Sequence, residues 1–193
     1  TLQVIRKADP EFKVSLAGNF HKELEADIYD YCIPIGASYP AEVLARRAQN
    51  NLPTTYYTCC TEAFPNTFTF SDPAEAAWMS YYSAKDHLDG YLRWAYNSWP
   101  KEPLLDSRFE AWAGGDTYLV YPGARSSIRF EKLIEGVQAH EKITILRKEF
   151  TDKKNKTGFK KLEKMLSTFN LRDFPEVPAA ETVNKANKIL NSL

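Results

Sequence analysis

Residues 90–99 read Gly-Tyr-Leu-Arg-Trp-Ala-Tyr-Asn-Ser-Trp. The first half is aromatic and apolar enough for a strand over 91–95, and the second half reads as a loop. Two of the four tryptophans fall here, beside two tyrosines, an arginine and an asparagine. A strand that runs out into flat rings presents apolar faces with polar tips, which suit sugar faces and base faces alike.

Working back from this stretch, a helix is signposted by Asp72, Pro73 and Glu75, a cap, a first-turn proline and a capping-box glutamate. Ala74, Ala77, Trp78, Tyr81 and Leu88 recur at helical spacing and are expected in the core, with Gly90 ending the helix. Earlier strands are expected at 13–17, 28–33 and 54–59, with a helix from Pro40 to Asn50. Going forward, 117–121 is an extended, hairpin-like run stopped by Pro122-Gly123. A long helix then starts at Ser126 or Ser127 and reaches about residue 149, with Leu133, Ile134 and Val137 expected inward.

Beyond Thr151 the composition changes. A charged turn, DKKNKTG, precedes an amphipathic helix marked by Phe159, Leu162, Leu166 and Phe169. A Pro-containing connector, NLRDFPEVPAA, leads to a second helix marked by Val183, Ala186, Leu190 and Leu193. The expected division is therefore 1–150 and a helical extension over 151–193.

Alternating strands and helices over 13–149 argue for an α/β fold with a parallel sheet. Four β/α units are half of a (β/α)8 barrel, and an open four-stranded sheet fits the count equally well. The strand ends carry the distinction. Barrels place their working residues at the C-terminal ends of strands and in the loops that follow. Here those ends offer Gly18-Asn19, Tyr57-Thr58 and the run from Trp94 to Trp99, followed by long loops.

The totals narrow the function. Lys+Arg 25 balance Asp+Glu 25, so the whole-chain field is weak, which disfavours a nucleic-acid partner. No apolar run approaches the roughly 20 residues of a membrane span, and no signal peptide is visible. The opening TLQVIRKADP reads as the tail of a helix, so the 193 residues are expected to be part of a longer chain. Cys32, Cys59 and Cys60 form no disulfide framework and are expected as small buried thiols. His21, His87 and His140 are scattered, so neither a metal nor a cofactor is expected.

Trp94, Tyr96, Trp99 and Trp112 have two readings, loop packing or a ligand wall in which Asn97 and carboxylates bind hydroxyls. The carboxylates that could share such a site are Glu62, Asp106, Glu110 and Asp116. Asp106 and Arg108 could equally pair to order their loop. Asp116 follows Gly114-Gly115, where backbone can approach a ligand, or it ends a turn. Ser126 and Ser127 near Arg125 could hold an anion, but helix capping explains them.

TYYTCCTEAFPNTFTFSDPAEAAWM (55–79), GYLRWAYNSW (90–99), DSRFEAWAGGDTYLVYPG (106–123) and SSIRFEKLIEGVQAHEKI (126–143), in that order, resemble the C-terminal half of the catalytic domain of glycoside hydrolase family 123. That domain is also catalogued as domain of unknown function 4091. The resemblance spans roughly residues 13–149 and leaves out the two terminal helices. It implies the C-terminal half of a (β/α)8 barrel and exo-β-N-acetylgalactosaminidase activity on terminal β-linked N-acetylhexosamine. The implied mechanism is substrate-assisted and retaining: the 2-acetamido oxygen attacks the anomeric carbon, an aspartate orients the acetamido group and the adjacent glutamate is the general acid. This chain contains no Asp-Glu dipeptide, so no catalytic residue is assigned and the pair is expected upstream.

Tyr57, Trp94, Tyr96, Asn97, Trp99 and Asp116 are the expected substrate-binding residues. The expected partners are an N-acetylhexosamine-containing glycan and, for the half-barrel, its own upstream half or a second copy. A non-catalytic carbohydrate-binding or structural fragment is the alternative. Relatives of this kind are often exported, so the resemblance implies a periplasmic or extracellular place.

Overall fold

The computed structural model describes residues 2–173 and 176–193. Four strands, β1 (Ser15–Ala17), β2 (Asp30–Pro34), β3 (Thr54–Thr58) and β4 (Gly90–Arg93), form a sheet in the order β1-β2-β3-β4. Every neighbouring pair is parallel. The helices are α1 (Leu2–Ala8), α2 (Ala41–Gln49), α3 (Ala74–Lys85), α4 (Ile128–Asp152), α5 (Lys156–Leu166) and α6 (Ala179–Leu190). The expected connector over 170–180 contains a short 3-10 turn at Leu171–Asp173, and its Phe174 and Pro175 lie outside the described residues.

Alternation along the strands assigns the two faces of the sheet. Tyr31, Ile33 and Tyr56 point to the helix side and are 1% exposed or less. The Tyr56 hydroxyl donates to the Met79 carbonyl on α3 at 2.7 Å. The other face carries Ser15 and Ala17, exposed, and Thr55, Tyr57 and Leu92, half-buried. A parallel sheet covered by helices on one face only is unusual for a complete α/β domain.

The core lies between the sheet and the helices. Trp78 and Tyr82 of α3 stack at 5.5 Å, and Tyr81 stacks on Phe169 at 4.6 Å with their planes 5° apart. Burying each of these large side chains contributes about 1.5–3 kcal/mol. The capping box at α3 forms as expected: Asp72 Oδ1 accepts from Ala74 N–H, and Glu75 Oε1 accepts from Asp72 N–H. α3 ends earlier than expected. His87, at φ 55°, takes the left-handed position, and Gly90 opens β4 instead.

Two further expectations are corrected. Ile134 and Val137 of α4 are exposed, not inward; the inward stripe is Gly136, Ala139, Ile143, Leu146 and Phe150. Gly136 sets this register, because α3 crosses so close that a Cβ there would meet Ser80 Oγ at 2.6 Å and Ala77 Cα at 2.9 Å. The run 117–121 forms no strand and makes only isolated bridges, Asn97 with Tyr118 and Tyr121 with Arg125. Among the cysteines only Cys32 is buried, its thiol pushed up to about 11 by burial; Cys59 is half-buried and Cys60 exposed.

α2 contributes a fully buried arginine. Arg47 donates to the carbonyls of Ile28 at 3.0 Å and of Tyr29 and Pro53 at 2.8 Å, and faces Glu25 Oε1 at 3.4 Å. It ties α2 to the starts of β2 and β3.

Candidate functional site

All six expected substrate-binding residues lie at or beyond the C-terminal ends of β3 and β4. Tyr57 is the penultimate residue of β3, in register with Leu92 of β4, and burial raises its phenol. After β4 the chain turns outward. Trp94 is 45% exposed, Tyr96 48% and Trp99 37%, with Trp112 from the next loop at 40%. Trp94 and Trp112 tilt against each other at 5.4 Å. Tyr96 packs edge-on against Phe130 of α4 at 5.8 Å. These rings lean on their neighbours with one side and face solvent with the other.

A short antiparallel contact holds the segment in place. Ser98 N–H donates to Thr117 O at 3.0 Å, and Leu119 N–H donates to Tyr96 O at 2.8 Å. Trp99 Nε1 donates to Val120 O at 2.7 Å. Asn97 is bridged to Tyr118 through the backbone, and its exposed side chain faces outward.

Asp116 stands beneath the rings and is fully buried. Arg93 Nη2 donates to both its Oδ1 and its main-chain oxygen, each at 2.5 Å. Trp94 Nε1 faces the same Oδ1 at 3.5 Å. Gly114 and Gly115 do not open the backbone to a ligand. A Cβ on Gly114 would meet Ser107 and Thr69, and one on Gly115, at φ +77°, would meet Arg129 Nη1 at 2.6 Å. Their smallness lets two loops and α4 close on one another.

Sequence reasoning missed the network below the wall. Asn66, fully buried, accepts from Arg93 Nη1 at 3.0 Å through Oδ1. Its amide donates to Cys59 O at 2.8 Å and Glu62 O at 2.7 Å. Glu75 Oε2 accepts from Asn66 N–H at 2.8 Å, and burial pushes its carboxyl up to about 7. Arg129 donates to the carbonyls of Thr67 and of Gly115, the latter at 2.8 Å, while burial lowers its guanidinium. The signal available was an arginine closing a short apolar strand.

The other candidate carboxylates serve their loops. Glu62 accepts from Cys59 N–H at 2.7 Å and Thr61 Oγ1 at 2.8 Å. Asp106 pairs with Arg108 at 2.7 Å, which holds its carboxyl down to about 2. Glu110 is exposed at φ 54°. Ser127 caps α4 by accepting from Phe130 N–H at 3.1 Å. Among the described residues, no three His, Cys, Asp or Glu gather as a metal site.

The catalytic-domain model of glycoside hydrolase 123 matches residues 1–146. No curated protein matches the chain significantly. A solved family 123 glycoside hydrolase from Clostridium perfringens, described for glycolipid glycan hydrolysis, superposes with a TM-score of 0.72 at 26% identity. The match covers 93% of this chain and 35% of that one.

Proposed function

The chain belongs to glycoside hydrolase family 123, and on that premise we propose that it is the C-terminal half of a (β/α)8 barrel hydrolysing terminal β-linked N-acetylhexosamine, N-acetylgalactosamine in particular. Residues 1–150 form the half-barrel and 151–193 a helical extension. Four parallel strands in sequential order, covered by helices on one face, support this reading. The uncovered face is the barrel interior, completed by the upstream half of the same protein or by a second copy.

The observation that carries the substrate class is the set of half-exposed rings at the strand ends. Trp94, Tyr96, Trp99 and Trp112 are each partly exposed to solvent, and Asn97 beside them in the chain is exposed as well. Apolar walls with few placed polar groups are the usual build of a small-ligand site. Tyr57, Trp94, Tyr96, Asn97 and Trp99 line the sugar side. Asp116 serves from beneath by fixing Arg93 and facing the Trp94 indole.

The reaction is substrate-assisted. The acetamido oxygen bonds to the anomeric carbon as the bond from that carbon to the leaving oxygen breaks. A carboxylic acid gives that oxygen its proton. Water then opens the cyclic intermediate and returns the proton to the carboxylate, with the anomeric configuration retained. The acid and its orienting aspartate come from sequence outside residues 1–193, since no Asp-Glu pair occurs here.

Incubating protein that includes the upstream segment with an aryl N-acetyl-β-galactosaminide tests this. Release of the aryl group with retention at the anomeric carbon supports it, and an intact substrate across pH overturns it. The lack of an acid pair favours a second reading for the 193 residues alone: sugar binding without turnover, which calorimetry with N-acetylgalactosamine detects.

A further inference from the structure

The chain is neutral as a whole, yet residues 147–164 carry eight basic and three acidic side chains. The acids are committed: Glu163 pairs with Arg147 at 2.7 Å, Asp152 with Lys148 at 2.5 Å and Glu149 with Lys153 at 2.6 Å. Lys154, Lys156, Lys160, Lys161 and Lys164 make no ion pair among the described residues and are exposed. Lys161, whose ammonium donates to Ser192 Oγ at 2.9 Å, and Lys164, in the last turn of α5, lie further along the helix, whereas Lys154, Lys156 and Lys160 stand at the turn between α4 and α5. In that turn Phe150 and Phe159 line a shallow apolar depression with Thr151 and Asn155, and Lys154, Lys156 and Lys160 stand round it. Phe159 is 37% exposed.

The Asn155 side-chain oxygen and the Thr151 hydroxyl of the depression are already engaged. Asn155 Oδ1 accepts from Gly158 N–H at 2.9 Å, and Thr151 Oγ1 donates to Arg147 O at 2.8 Å. What remains outward is an aromatic face, lysine stems and ammonium heads on a projecting two-helix turn. A sugar chain or peptide needs hydrogen-bonding partners along a groove. A lipid surface needs only an apolar wedge and a cluster of cations above anionic headgroups.

We propose that the α4–α5 turn docks the protein on an anionic lipid surface, Phe159 entering the headgroup layer and Lys154, Lys156 and Lys160 facing its phosphates. The attachment is peripheral: among the described residues no helix is long and apolar enough to cross a membrane. α4 begins against Tyr96 through Phe130 and runs 25 residues to the patch, about 37 Å at 1.5 Å per residue. The aromatic residues therefore lie at the far end of α4 from the docked surface. The proposal is independent of the glycosidase reading.

Cosedimentation of the full chain with vesicles tests it, using phosphatidylcholine alone and an equal mixture of phosphatidylcholine and phosphatidylglycerol. Binding is expected only to the mixed vesicles, falling steeply as salt rises. Reversing three exposed charges, Lys154→Glu/Lys156→Glu/Lys160→Glu, is expected to weaken it by about 100-fold, at about one factor of several per charge. Circular dichroism checks that the variant folds, and the salt dependence of the unmodified chain reads the same interaction without mutation. Equal binding to both vesicles, or binding to neither, overturns the proposal. Capture on a heparin column with no vesicle binding overturns it in favour of an acidic polysaccharide.

Discussion

Arg93 grips Asp116 twice, its Nη2 donating to the side-chain Oδ1 and to the main-chain oxygen of the same residue. The pair is 4% and 0% exposed at the side chains. It joins the end of β4 to the loop that returns from the long excursion, directly below Trp94.

Removing one partner of a buried pair leaves the other charged and undersolvated. Asp116→Ala is expected to lose about 3–5 kcal/mol of stability, while Arg93→Met with Asp116→Leu loses less. Urea unfolding followed by tryptophan fluorescence measures both. Equal losses would mean that packing, not the orphaned charge, sets the cost.

Glu75 gives the stability a pH dependence. Its folded carboxyl titrates at about 7 against 4.5 unperturbed, because burial disfavours the charged form. Between those values the folded chain holds a proton that the unfolded chain has released. Stability from this group is therefore full below about 4.5 and is lost as pH rises towards 7, by up to about 3 kcal/mol. Comparing the melting temperatures of the parent and Glu75→Gln across that range checks the slope. The Gln variant, lacking the titration, is expected to lose the part of the slope due to this group.

Gly136→Ala sets two effects against each other. Alanine in a helix interior is favoured by about 1 kcal/mol. Its Cβ would press on Ser80 and the Ala77 backbone at the α3–α4 crossing, and overpacking costs about 1–3 kcal/mol. Net destabilisation is expected, with a lower melting temperature. A rise would mean that the crossing can open without loss.

Trp94→Ala tests the ring wall. An exposed aromatic contact is worth about 0.5–1.5 kcal/mol, so affinity for N-acetylgalactosamine is expected to fall about 3- to 10-fold by calorimetry. Unchanged affinity would place the sugar elsewhere.

Much of the fold was readable from local signals. β2, β3 and β4 follow β-branched or aromatic residues, and the start of α3 follows from Asp72, Pro73 and Glu75. The errors arose where tertiary contact overrides local pattern. Apolar Ile134 and Val137 suggested one face of α4, but Gly136 and its close neighbour α3 select the adjacent face. The run 117–121 has strand composition and yet finds only short partners, Tyr96–Ser98 on one side and Arg125 on the other. At the site, the clustering of rings where β4 runs out was legible in the sequence, but their half-exposed setting was not, since composition alone left loop packing and a ligand wall equally open. The network of Asn66, Glu75, Arg93 and Arg129 was not legible either, since its members lie far apart in sequence and gain meaning only when the loops close.

Asn66 fastens the loop after β3 through the carbonyls of Cys59 and Glu62, main-chain oxygens that every amino acid carries. The outer positions of that loop whose side chains take no part in it, Cys60 and Ala63, are therefore free to drift over evolutionary time without unfastening it. Relatives could diverge there, and retune what the mouth of the site admits, while the buried asparagine keeps the loop's path unchanged.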